Sequence, residues 1–196
     1  MGCTHSDFMS VTKNAFNSTY MEKYKNTEMA ELTDDQLERV RLTWKLIKDH
    51  RNFGLMIMTR IFTKHSEIKH KWIFAKDLNS DEEIRKNPQL IYHAIKIMET
   101  VNKLVSSYDI NGPNDFKEIS HLGKNHFDYG VRPADFEHFE ECLIYCLEKE
   151  INDDKLFDMK TRTSWKKFFM KIASKLSEGI YLAEIDELNT INKCIK

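Results

Sequence analysis

Eight histidines, four cysteines and the first six residues are the parts of this 196-residue chain whose types and spacing could do chemistry. The histidines are His5, His50, His65, His70, His93, His121, His126 and His138. None stands in an HExxH pair or a Cys/His zinc spacing, and taken one at a time most read as surface residues. Two have a different context: His93 lies among Ile91, Ala94, Ile95 and Ile97, and His126 comes just before Gly130. An imidazole in apolar surroundings can ligate a metal or hydrogen-bond within a core, and spacing alone leaves both open. Cys3, Cys142, Cys146 and Cys194 form no CxxC pair, and no apolar leader precedes them, so a reducing compartment is expected. Cys142 and Cys146, four apart on one helix, suit two buried small groups or a thiol pair, although a helix seldom holds such side chains in disulfide geometry.

The string Met1-Gly2-Cys3-Thr4-His5-Ser6 fits the myristoylation pattern: loss of Met1 exposes the Gly2 amine, and Ser6 occupies the preferred position. One myristoyl chain gives marginal membrane affinity, so a second signal is needed, and Cys3 is placed to take a palmitate. The alternative is an ordinary Met-Gly start with a free thiol. A polybasic anchor is disfavoured because Lys13, Lys23 and Lys25 are offset by Asp7, Glu22 and Glu28. These residues predict a lipid-anchored protein at the cytoplasmic face of the cell membrane.

The elements that must position these groups are helical. Six Gly and three Pro punctuate a chain with 41% hydrophobic residues, enough for a single domain to fold without staples. Thirty basic and 31 acidic residues are interspersed, giving a net charge of −1 and no basic face for nucleic acid. The longest apolar run, residues 53–58, is far short of the ~20 needed to cross a bilayer. Thr33 and Gln36 write a capping box, with Val40, Trp44 and Ile47 as the stripe behind it. Further helices are expected over residues 53–62, from Pro88 to about 109, over 116–127, from Pro133, and around Trp165. A loop is expected over 110–115. The chain divides into a polar arm over 1–31, a folded domain over 32–180, and a C-terminal extension over 181–196 that continues the last helix or frays.

The order and spacing of several strings together resemble the globin family, and within it the neuroglobin-type and divergent invertebrate, nematode-like members. They are Leu32-Thr33-Asp34-Asp35-Gln36 with Trp44; Gly54 with Ile61-Phe62; Asn87-Pro88-Gln89-Leu90-Ile91-Tyr92-His93; Leu122-Gly123-Lys124-Asn125-His126; Gly130-Val131-Arg132-Pro133-Ala134-Asp135-Phe136; and Trp165. The most specific is Leu-Gly-x-x-His-x-x-x-Gly-Val at 122–131. The resemblance implies an all-α globin fold, a three-over-three helical sandwich, holding heme b. It makes His126 the proximal iron ligand and His93 the distal histidine. Met58, Trp72, Ile97, Leu122, Val131, Phe136 and Phe139 become pocket walls, and Lys96 a cation beside a heme propionate, or else a solvated lysine. Trp72 falls where the family sets a phenylalanine against the heme; Phe74 fills that place only with a two-residue shift. Met58 brings no strong donor to the distal side.

Two states of the sixth iron position follow from the resemblance. With His93 as ligand the iron is bis-histidyl, suited to electron transfer and redox signalling; with His93 aside, the site is open to dioxygen or another diatomic gas for transport or sensing. No catalytic residue is implied. The expected partners are a gas, the membrane through its acyl chains, and a redox or signalling protein. The competing class is a heme-free acylated helical adaptor.

Overall fold

The computed structural model describes residues 32–109 and 117–194. The expected arm, with Gly2 and Cys3, and the expected loop over 110–115 lie outside the described residues. Within them are seven α-helices and no strand: α1 Asp34–Trp44, α2 His50–Lys64, α3 Asp81–Lys86, α4 Pro88–Ser107, α5 Lys117–Asp128, α6 Asp135–Ile151 and α7 Met159–Cys194. Two 3-10 turns, Ser66–Lys71 and Ile73–Ala75, bridge α2 and α3.

Local chemistry sets the helix starts. The Thr33 hydroxyl accepts from the Gln36 amide at 3.3 Å while Gln36 Oε1 accepts from the Thr33 amide at 3.1 Å, closing the expected box. Asn87 Oδ1 accepts from the amides of Gln89 and Leu90, both at 3.0 Å, with Pro88 at the first helical position of α4. Helix α1 stops at Trp44, short of the stripe that runs to Ile47, because the Leu46 and Ile47 amides turn back to the carbonyls of Thr43 and Trp44 at 3.1 Å each. That tighter turn still buries Ile47. Helix α7 runs unbroken across position 180 to Cys194.

Helices α1 and α5 pack on α7, and α4 and α6 pack on α2, with α6 also against α7 and α1 against α4. The aromatic centre of the core joins α1 to α7. Trp165 is fully buried, its ring 5.8 Å from that of Trp44, and its indole N–H donates to the Thr43 hydroxyl at 2.9 Å. Arg41 reaches from α1 to the end of α4, donating to the carbonyls of Val105 at 3.2 Å and Tyr108 at 2.6 Å, where a cation complements the exposed helix carbonyls. These contacts fix α4, and with it His93, to the scaffold.

Candidate functional site

Helices α4 and α5 carry the two histidines, and each helix is seated by a glycine. A Cβ at Gly54 on α2 would lie 2.9 Å from both the Ala94 carbonyl oxygen and Met98 Cγ of α4, so only a bare Cα lets α4 come this close. At the other crossing, a Cβ at Gly123 on α5 would lie 2.1 Å from the Leu176 carbonyl oxygen, and one at Gly179 on α7 would lie 1.8 Å from that of Ser120. Gly123 and Gly179 thus face one another where α5 crosses α7, one residue beyond Leu122 and three before His126.

The His126 ring is oriented by its own helix. Its Nδ1 lies 2.8 Å from the Leu122 carbonyl oxygen, and a carbonyl can only accept, so Nδ1 carries the proton. Nε2 of the neutral ring therefore keeps its lone pair. Burial pushes the His126 pKa down, against the hydrogen bond to Leu122, which raises it. The end of α5 fixes the backbone beneath: Gly130, at φ +77°, donates to the Phe127 carbonyl at 2.9 Å, and the Val131 amide donates to the carbonyl of His126 itself at 3.1 Å. This is a Schellman closure, which needs the left-handed conformation that glycine adopts without strain.

His93 is held in apolar company. The Trp72 ring meets it edge to face, with centroids 4.5 Å apart and planes at 72°. Trp72 in turn packs against Phe62 at 6.0 Å and Phe74 at 5.5 Å. Trp72, not Phe74, is thus the aromatic residue against His93, and Phe74 stands behind it. Burial, reinforced by the neighbouring His126, pushes the His93 pKa down to about 4. In both, burial favours the neutral imidazole.

The other expected wall residues divide by burial. Met58, Val131 and Phe136 are buried, and the Phe136 ring lies 6.4 Å from that of His126. Trp72, Ile97, Leu122 and Phe139 keep partly open apolar surface, and Phe139 stacks on Phe169 at 5.2 Å. Lys96 is exposed, bound to Glu99 at 2.8 Å and 5.7 Å above the Tyr92 ring, both on its own helix. A cavity of about 240 Å³ opens between α4 and α5, lined by Leu104, Ile119 and Leu122 together with Lys103, Glu118 and His121, among others. Two neutral imidazoles with apolar neighbours form a donor set suited to a flat apolar ring bearing a borderline metal ion. The residues present fit heme.

Two groupings are not legible from the linear order. Gly179 is the partner of Gly123 only through the α5–α7 crossing. His65 and His138 lie with their ring centroids 4.0 Å apart, although they sit on different elements. Small residues at helical spacing on α7 are the only linear signal for the first, and nothing in the sequence marks the second.

Comparison with known proteins adds two findings. A family model described as Globin matches residues 55–176, a span that contains every expected wall residue and both His93 and His126. The chain is also similar to a cytoglobin-2 of Danio rerio, 27% identical over 157 residues that cover 75% of this chain and 86% of the relative.

Proposed function

The chain belongs to the globin family, whose members bind oxygen through heme, and on that premise we propose that it holds heme b between His126 and His93 and works as a membrane-anchored redox or gas-responsive globin. The observation that carries this reading is the state of the two imidazoles. His126 spends Nδ1–H on the Leu122 carbonyl and keeps the Nε2 lone pair free, while His93 is held against the Trp72 ring where burial favours its neutral form.

Heme held there would supply one-electron chemistry and a site for a diatomic gas. The protein's share is positioning and exclusion of water. The hydrogen bond to Leu122 orients the His126 ring and strengthens it as a donor, as outer partners of metal-bound histidines do. Trp72 fills the space beside His93 and restricts the swing of its ring, which supports His93 as the second ligand over an open site. Met58, Val131 and Phe136 keep the surroundings dry, and Lys96, exposed one turn beyond His93, is the cation available to a propionate.

Membrane attachment is the second half of the proposal and rests on Gly2, Cys3 and Ser6. No helix among the described residues is long and apolar enough to cross a membrane. A bulk oxygen store gains little from an anchor, whereas a redox or gas signal passed to a membrane partner gains proximity. Titration of the full chain with hemin tests the heme reading. One equivalent should produce an intense Soret band, and His126→Ala should lose or severely weaken it. Addition of the full chain that leaves the spectrum of free hemin unchanged would leave the adaptor class in its place.

A further inference from the structure

A second histidine cluster lies at the junction of α2 and α6. His65 caps the C-terminal end of α2, Glu67 follows in the 3-10 turn, and His138 stands in the first turn of α6. One ligand atom from each of these three residues lies within 4.8 Å of those of the other two. Glu67 Oε1 is 3.7 Å from His65 Nδ1 and 4.0 Å from His138 Nε2. On the far side of the His65 ring, Nε2 lies 3.2 Å from Glu141 Oε2, and Glu141 also pairs with Lys64.

We propose that His65, Glu67 and His138 form a binding site for a divalent transition-metal ion of the zinc class, tying the end of α2 and the turn after it to α6. The donor set selects the ion: two imidazoles and one carboxylate suit zinc and its borderline neighbours, whereas calcium and magnesium want oxygen alone. Three protein ligands leave a fourth position for water. With metal–ligand bonds of about 2.0–2.2 Å, tetrahedral donors sit roughly 3.3 Å apart, so the three need a modest contraction. Glu67, the most exposed of them, can supply it by rotating its side chain.

Glu141 completes the arrangement. A carboxylate accepts, so His65 Nε2 donates to it, which leaves the lone pair on Nδ1, the atom facing Glu67. A histidine ligand oriented by a carboxylate on its outer nitrogen is the usual support of a bound zinc ion. The site uses neither His93 nor His126 and stands whether or not those two hold heme.

Calorimetric titration of the full-length protein with zinc chloride tests this, with calcium chloride as the contrast. The wild type should bind one zinc saturably through this site and no calcium. His65→Ala and His138→Ala should each weaken that binding roughly tenfold or more, and Glu141→Gln about tenfold through loss of the supporting carboxylate. His70→Ala, an exposed histidine of the same turn outside the group, should leave it unchanged. A second readout needs no variant: zinc should shift the backbone amide resonances of residues 65–67 and 138. Absence of saturable zinc binding, unaltered affinity in His65→Ala and His138→Ala, or no shift at these positions would overturn the proposal.

Discussion

At the scale of single residues, burial sets the protonation state of the groups that matter. Cys142 and Cys146 are both buried and free, and burial pushes both thiols up, Cys146 to about 12. Neither forms a thiolate near neutral pH, so the structure favours two small core groups over a redox pair. In the folded protein both should resist a thiol reagent at pH 8 and react fully once denatured; rapid labelling of the native state would contradict their placement. The sign of the linked stability follows. The unfolded chain loses these protons near the ordinary value of 9.0 and the folded one only near 12 for Cys146, so stability is intact below pH 9 and is lost as pH rises beyond it. Trp72 makes a second residue-scale prediction. If its indole restrains His93, Trp72→Ala should raise the rate at which carbon monoxide binds the ferrous heme protein, with the Soret band retained. An unchanged rate would show that His93 moves independently of Trp72.

The helix crossings are the element-scale determinants of the site. A methyl group at Gly123 or Gly179 would meet backbone carbonyl oxygens at 2.1 and 1.8 Å, so α5 and α7 must part to admit it. Overpacking of this kind costs about 1–3 kcal/mol. Gly123→Ala and Gly179→Ala should therefore each lower Tm and speed heme loss to an acceptor such as apomyoglobin, because α5 carries His126. Gly54→Ala should act through α4 and His93 instead, and less severely, since one of its two closest contacts is the flexible Met98 side chain. Heme retention equal to wild type in Gly123→Ala would separate the crossing from the site. What is legible in the sequence at this scale is local. The Thr33–Gln36 box, the Asn87-Pro88 start of α4 and the Gly130 closure are each written within a few residues and each is present. The 3-10 turns and the six-residue α3 carry too few residues for a periodic signal. The early stop of α1 is invisible because Ile47 is buried whether it ends a helix or a tight turn.

For the whole molecule, the family was legible in the order of short strings, above all Leu122 to Val131, because a helix, a histidine and a glycine closure follow one another there at fixed spacing. The expected walls are more mixed in burial than a uniform core stripe, since Trp72, Ile97, Leu122 and Phe139 keep open apolar surface. The cluster of His65, Glu67 and His138 is not legible at all, because packing of α2 on α6, rather than any spacing, brings distant positions together. The proposed membrane attachment belongs to this scale too. Gly2→Ala should move the protein from the membrane to the soluble fraction, and Cys3→Ser should weaken retention more mildly, because one acyl chain alone binds marginally. Full membrane retention by Gly2→Ala would refute the acyl anchor while leaving the heme reading intact. Coordination of the iron by both His126 and His93 is tested most directly by the visible absorption spectrum of the deoxygenated ferrous protein before any gas is added. Two imidazole ligands predict sharp, split visible bands in the wild type that collapse to one broad band in His93→Ala. A single broad band already present in the wild type, and unaltered by His93→Ala, would contradict it.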